Sequence, residues 1–152
     1  MKTYREEVGI SRKDEGIKIM PKSLVHFATT NLNKFREAEQ VVAKYGIKLR
    51  HLKSKPDEIQ SQNIKYIAET SATQIVKETS LSLIVEDAGL FVETLNGFPG
   101  PFSSYVYRTI GTNGILKLLE GKSDRTAYFL SAVVYCAPKL KPKVFVGKIK
   151  GV

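Results

Sequence analysis

Hydrophobic and polar positions along this chain predict strands and helices in alternation. Short apolar runs bounded by turn residues indicate strands, and apolar residues spaced three or four apart indicate helices. Strands are predicted at 24–28, 46–52, 83–87, 125–136 and 143–151, and helices after Asn31, at 63–79, after Pro101 and at 112–120. The alternation up to residue 120, followed by a hairpin, predicts an α/β fold with a mixed central β-sheet flanked by helices.

The third strand contains the most informative pattern, because its apolar run 83–85 leads directly into Glu86 and Asp87. Ligands of open α/β sheets bind beyond the carboxyl ends of such strands. Two adjacent carboxylates repel each other unless a cation or a proton lies between them. The pair therefore predicts a divalent metal site or an acid with a raised pKa at a strand end. A solvated turn after an ordinary strand is the alternative.

A second candidate site follows the first strand, where the polar residues 29–34 precede a helix. A strand, a short polar loop and a helix N-terminus offer backbone N–H groups and the positive end of the helix dipole to an anion. Lys34 adds a flexible positive charge suited to a phosphate. A helix capped by Asn31, with a surface lysine, is the alternative. One face of this helix is expected to carry Phe35, Ala38, Val41, Val42 and Tyr45.

Composition and charge limit the classes of protein that fit. The chain has 152 residues, of which 42% are hydrophobic, enough for one core. It has neither an apolar run of transmembrane length nor a signal-peptide pattern, so a cytoplasmic location without membrane contact is expected. Cys136 is expected in the core, and His26 and His51 lack a partner at metal-ligand spacing. The formal net charge of +9 suits anionic partners such as nucleotides. Nucleic acid is not favoured, because no recognition motif accompanies the C-terminal lysines.

Three segments resemble motifs of the inosine/xanthosine triphosphate pyrophosphatases, the Ham1-like family. The chain has ATTNLNKFRE at 28–37 where the family has A-T-x-N-x-x-K followed by R-E. It has EDAGL at 86–90 and LNGFPGPFS at 95–103, which resemble the family's E/D-D-S-G-L and L-x-G-x-P-G-x-x-S. PDEIQS at 56–61 is similar to an acidic turn of the family. The resemblance covers roughly residues 24–152, which implies a single ITPase-like domain over 23–152 after an extra segment, 1–22.

The resemblance also implies a reaction and a site. Family members hydrolyse ITP, XTP and dITP to the monophosphate and pyrophosphate with Mg²⁺, and are usually homodimers. Residues implied to bind the substrate are Thr29, Thr30, Asn31, Leu32, Asn33, Lys34 and Ala88. Glu58, Glu86 and Asp87 are implied to bind Mg²⁺, and Asp87 to orient or deprotonate the attacking water.

The chain also departs from the family pattern. Ala88 stands in place of a serine and Ser61 in place of a glycine, and Thr73 lies near the position of a phosphate-binding lysine. The sequence contains no counterpart of the C-terminal G-F/Y-G/A-Y/F-D-P-x-F and S-H-R segments that read the base. These differences imply a C-terminally truncated, partly degenerate member with slow turnover and weak selection of ITP over ATP. A nucleotide-binding homologue without catalysis, or a basic nucleic-acid-associated protein, are the alternatives.

Overall fold

The computed structural model describes residues 24–54, 56 and 59–151. They form a mixed six-stranded sheet with helices packed against it, as the sequence predicts. The strands are β1 (Leu24–Ala28), β2 (Lys48–Leu52), β3 (Leu83–Val92), β4 (Pro99–Gly100), β5 (Ala127–Cys136) and β6 (Lys143–Gly151). The helices are α1 (Leu32–Ala43), α2 (Ile64–Thr79), α3 (Ser103–Thr109) and α4 (Gly111–Leu118), with a 3₁₀ turn at Glu93–Leu95.

The sheet combines a parallel half and an antiparallel half that meet at β3. The strand order is β2-β1-β3-β5-β6, and the short β4 pairs with β3. Strand β1 is parallel to both β2 and β3, whereas β3 pairs antiparallel with β5, and β5 with β6. The predicted hairpin of β5 and β6 is confirmed.

The core lies between α2 and one face of the sheet. Small residues of α2, such as Ala68 and Ala72, are fully buried and let the helix approach the strands closely. Leu83 and Val85 of β3 contact this helix together with buried residues of β5. Cys136 is buried in the same cluster, so its predicted core position is confirmed. On the other sheet face, α3 packs against β3, and α4 against α3.

The prediction that the third strand ends at Glu86 and Asp87 is wrong. Strand β3 continues to Val92 and pairs with β5 over its whole length, from Leu83 opposite Cys136 to Val92 opposite Ala127. Because the antiparallel partner satisfies the backbone groups beyond the acids, the strand does not need to end where its side chains become polar. The two carboxylates therefore lie in the middle of a strand.

Helix α1 is shorter and less buried than its pattern predicts. It ends at Ala43, so Tyr45 lies outside it and is exposed, and Val41 is exposed as well. The helix packs on β2, which is the edge strand of the sheet, and no residue of α1 is fully buried. No helix within the described ranges has the length and apolarity needed to cross a bilayer.

Candidate active site

A gap in the pairing of β3 exposes part of its edge. On the side of β1, the pairing of β3 stops at Ile84, because β1 ends at Ala28 and the chain then turns away. On the same side β4 begins to pair only at Leu90. Over 85–89, no described strand bonds to this edge of β3, while the other edge stays paired with β5. All five residues of this gap line one cleft of about 1020 Å³.

The gap explains how two acids that point in opposite directions reach the same cleft. Successive side chains of a strand alternate between its faces. Asp87 shares its face with Val85 and the core under α2, whereas Glu86 lies on the opposite face with Ser131 of β5. At an open strand edge both faces border the same space, so both carboxylates line the cleft.

The cleft brings together most of the residues that the sequence singles out. Its described lining includes Thr29, Thr30, Asn31 and Lys34 on one side and Glu86, Asp87 and Ala88 on the other. Leu32 and Asn33 are exposed and do not line it, because they lie on the outer side of the first turn of α1. Glu58 lies outside the described residues. The lining also includes Phe102, Tyr105, Arg108 and Phe129.

The loop before α1 uses its own side chains to satisfy the helix N-terminus. Asn31 Oδ1 accepts hydrogen bonds from the N–H groups of Asn33 and Lys34, at 3.0 and 3.2 Å. Thr29 Oγ1 accepts one from the N–H of Asn31, at 3.0 Å. The N–H groups of Asn31, Asn33 and Lys34 are therefore not free for an anion, since side chains of the loop already accept from them. An anion at this loop must interact mainly with side chains, above all with the Lys34 ammonium.

His51 fixes the position of this loop, a role that its spacing in the sequence does not reveal. Its Nε2 lies 2.7 Å from the carbonyl oxygen of Thr29. Because a carbonyl only accepts, Nε2 carries the proton and donates. The ring also lies against Phe35 of α1, with 5.0 Å between ring centroids. His51 thus connects β2, the loop and the helix that carries Lys34.

Glu86 has partners on both of its carboxylate oxygens. Ser131 Oγ donates a hydrogen bond to Oε1 at 2.7 Å. Lys34 Nζ lies 2.5 Å from Oε2 in an ion pair, and the Glu86 side chain is only 14% exposed. Oε2 is buried and has no hydrogen bond within the described residues, so the ion pair is the contact that offsets its loss of hydration.

Asp87 is the less compensated acid of the two. Burial raises its pKa above the ordinary value of 3.8; the Lys34 ammonium opposes this rise, the Glu86 carboxylate adds to it, and a hydrogen bond to the backbone of Ala88 opposes it. Its Oδ2 is buried and has no hydrogen-bond partner within the described residues. An incompletely satisfied carboxylate with a raised pKa is a group suited to accept a proton or bind a cation.

The segment after β3 holds the acidic stretch in place through close backbone contacts. A Cβ on Gly89 would lie 2.4 Å from the carbonyl oxygen of Gly100 and 2.9 Å from Ile64 Cδ1, so only glycine fits there. Ser103 Oγ accepts from the N–H of Leu90 at 2.7 Å and donates to the carbonyl of Gly100. Gly89, Gly100 and Ser103 therefore hold the backbone of β3 against the segment that follows it.

A hard divalent cation fits the donor set of the cleft. Carboxylate oxygens are the ligands that Mg²⁺ prefers, and Glu86 and Asp87 both line the cleft. The buried Oδ2 of Asp87 has no hydrogen-bond partner within the described residues. Only these two acids are placed there among the described residues, and no cluster of three or more His, Cys, Asp or Glu occurs within them. Glu58, the third predicted ligand, lies in the segment that is not described.

The three departures from the family pattern have different surroundings. Ala88 lines the cleft next to Asp87. Ser61 accepts a hydrogen bond from the N–H of Asn63 at the start of α2, at 3.1 Å. Thr73 donates to the carbonyl of Glu69 one turn earlier in α2, at 2.8 Å, and does not line the cleft.

Comparison with known proteins identifies relatives for most of the chain. The model of the Ham1 family matches residues 25–152. The dITP/XTP pyrophosphatase of Methanopyrus kandleri is 48% identical over 127 residues, which cover 84% of this chain and 68% of the relative. That of Saccharolobus solfataricus is 44% identical over 123 residues, covering 81% and 64%. The chain therefore spans about two thirds of the length of these curated relatives.

Solved structures show the same fold at lower identity. The Staphylococcus aureus Ham1 protein matches with a TM-score of 0.73 at 22% identity, covering 85% of this chain and 71% of that structure. A HAM1 protein from Coxiella burnetii gives the same TM-score and identity, with 85% and 72% covered. With the family model matching residues 25–152 and sequence relatives above 40% identity, the chain belongs to the Ham1 family.

Proposed function

We propose that this chain is a Mg²⁺-dependent nucleoside triphosphate pyrophosphatase that acts on non-standard purine nucleotides such as ITP, XTP and dITP. The products would be the nucleoside monophosphate and pyrophosphate. The observation that carries the proposal is the meeting of Lys34, Glu86 and Asp87 in one cleft at the gap in β3. The names of the relatives, dITP/XTP pyrophosphatases, support the choice of substrate.

The phosphates would lie beside the loop before α1. Lys34 supplies a positive charge to this part of the cleft. Thr30, which is exposed, lines the cleft as well. Since Lys34 is paired with Glu86, substrate binding requires the ammonium to exchange this carboxylate for a phosphate oxygen. Such an exchange replaces one charge-assisted contact by another, so its net free-energy cost is small.

That exchange would leave Glu86 and Asp87 available to a divalent cation. With Glu58 as a third ligand, these acids would hold Mg²⁺. When bound, Mg²⁺ would neutralise charge that develops on the phosphate and lower the pKa of a bound water. Its positive charge would also offset the repulsion between Glu86 and Asp87.

Asp87 would take the proton of the attacking water. The water oxygen forms a bond to the α-phosphorus, the bond from this phosphorus to the bridging oxygen breaks, and pyrophosphate leaves with that oxygen. A base works best when its pKa lies closer to the working pH, and burial moves the pKa of Asp87 in that direction. Asp87 lies on the same face of β3 as Val85, the face covered by α2, and its Oδ2 is buried. This burial limits the water that can compete for the carboxylate.

The base and ribose would extend toward the aromatic part of the cleft lining. Phe102, Tyr105 and Phe129 form this aromatic wall and leave much of their surface exposed. Aromatic faces stack on nucleobases of any kind, so this wall would bind a base without strong selection.

We also propose that the chain forms a homodimer, as the family resemblance implies. Size-exclusion chromatography coupled to light scattering tests this.

An assay of pyrophosphate release from ITP, XTP, dITP, dGTP and ATP, with and without Mg²⁺, tests the function. The proposal expects release that requires Mg²⁺ and is greater for ITP and XTP than for ATP. Binding of the nucleotide without turnover would instead support the non-catalytic homologue. Release of orthophosphate alone would identify a different phosphatase reaction.

A further inference from the structure

Ser131 is the hydroxyl residue in an otherwise apolar and aromatic stretch of β5 around the acids. Serine is not a favoured strand residue, so its presence at a central strand calls for a local reason. Ser131 lies opposite Ala88 in the pairing of β3 with β5, on the face that carries Glu86. Its Oγ donates to Glu86 Oε1 at 2.7 Å, across 45 positions of sequence.

This hydrogen bond makes the two oxygens of Glu86 unequal. Oε1 is occupied by Ser131, while Oε2 is buried and paired with the Lys34 ammonium. The terminal torsion of a glutamate is broad, so nothing intrinsic to the side chain fixes the plane of its carboxylate relative to the cleft. The Ser131 donor fixes that plane, because tilting the carboxylate away from it would break a charge-assisted hydrogen bond.

We propose that Ser131 is a positioning residue of the metal site, which holds the Glu86 carboxylate by one oxygen so that the other oxygen faces the cation. In the ligand-free protein this cation is Lys34, and in the loaded site it is Mg²⁺. The inference rests on the proposed function. Mutation of a residue that orients a metal ligand through a hydrogen bond typically weakens metal affinity by about 10- to 100-fold.

Three variants of the 152-residue chain test the assignment. Ser131→Ala removes the donor, Ser131→Thr keeps it on a side chain that strands favour, and Ser123→Ala removes an exposed serine in the loop before β5. The affinity for Mg²⁺ is measured by calorimetry with a non-hydrolysable α,β-methylene analogue of dITP bound. Turnover of dITP is then measured as a function of Mg²⁺ concentration.

Ser131→Ala is expected to weaken Mg²⁺ binding about 10- to 100-fold and to raise the Mg²⁺ concentration for half-maximal rate by a similar factor. The maximal rate at saturating Mg²⁺ should change little, because Ser131 does not touch the substrate. Ser131→Thr should restore the affinity, and Ser123→Ala should match the wild type. General damage to the fold would instead lower the rate at every Mg²⁺ concentration, including saturating Mg²⁺.

Three outcomes would overturn the assignment, and they distinguish an error about Ser131 from an error about the proposed function. If the wild type binds Mg²⁺ and hydrolyses dITP, but Ser131→Ala has the same Mg²⁺ affinity, only the role of Ser131 is wrong. A loss of maximal rate without a change in Mg²⁺ affinity has the same meaning. If the wild type binds no Mg²⁺ with the analogue present, the proposed function is wrong and the role of Ser131 with it.

Discussion

Lys34 Nζ lies 2.5 Å from Glu86 Oε2, so the cation expected to hold a phosphate is paired with an acid expected to hold a metal. The Lys34 side chain is 39% exposed and Glu86 only 14%, so the pair bridges solvent and the interior of the cleft. Each partner offsets the loss of hydration of the other until a ligand replaces it. Nucleotide and metal are therefore expected to bind together better than either binds alone, because each frees the group that the other needs.

Lys34→Met tests the two roles of this ammonium. Removal of a charged phosphate contact is expected to raise KM for dITP by about 10- to 100-fold. Because Lys34 lowers the pKa of Asp87, its removal should also raise that pKa. The rate requires the ionised Asp87, so the acidic limb of the pH profile of kcat/KM should move to higher pH.

Lys44→Met is the matched control, since Lys44 is an exposed lysine at the other end of α1. It should leave both KM and the pH profile unchanged. An acidic limb at the same pH in Lys34→Met and in the wild type would mean that Lys34 and Asp87 do not share one electrostatic environment.

Asp87 is expected to reduce stability at neutral pH. Its pKa in the folded state lies above the ordinary 3.8, so between these two values the folded protein binds more protons than the unfolded chain. The contribution of Asp87 to the free energy of unfolding therefore falls as pH rises through this window, and stays low above it. Asp87→Asn should raise Tm at pH 7, and the difference should shrink as the pH is lowered toward 4.

Asp124→Asn tests an acid whose pKa is shifted in the opposite direction to that of Asp87. Hydrogen bonds from Thr126 lower the pKa of the exposed Asp124. Its contribution is present above the ordinary pKa and is lost as pH falls, so this variant should be no more stable than the wild type at pH 7. Melting curves from pH 4 to pH 8 compare the two variants, and an Asp87→Asn protein that is less stable at pH 7 would contradict the account.

Gly89→Ala probes the close approach that holds β3 to the segment after it. The new Cβ would meet backbone atoms of Gly100, which cannot move away as a flexible side chain can. Overpacking of this kind costs about 1–3 kcal/mol, measurable by urea unfolding. Gly147→Ala, in β6, has no atom within 4 Å of its new Cβ and should change stability by no more than about 0.5 kcal/mol. Equal effects of the two changes would show that the contact with Gly100 is unimportant.

The sequence predicts most of the helices and strands, but not the full length of β3. The periodicity of apolar residues is strong in α2, β5 and β6, and these elements lie within two residues of their predicted bounds. The polar run at Glu86 and Asp87 conceals the continuation of β3, because that continuation depends on pairing with residues of β5 that lie 35 to 43 positions away. Local sequence carries no signal for such a partner.

The same reason separates the site residues that sequence identifies from those it misses. Lys34, Glu86 and Asp87 stand in recognisable local motifs, so their types and spacing point to a phosphate and metal site. Ser131 and His51 act through single hydrogen bonds to residues distant in sequence. The sequence offers Asn31 as a helix cap, but only the geometry shows that this cap occupies the N–H groups of Asn33 and Lys34.

Hydrolysis of dITP in ¹⁸O-labelled water, by wild type and Asp87→Asn, tests the central claim most directly. Mass spectrometry locates the label, and ³¹P NMR identifies the products. The account predicts one ¹⁸O in dIMP and none in pyrophosphate, with Mg²⁺ required and the rate of Asp87→Asn lower by about 10²–10⁴-fold. Label in pyrophosphate or orthophosphate, or an unchanged rate in Asp87→Asn, would contradict attack at the α-phosphorus by a water that Asp87 deprotonates.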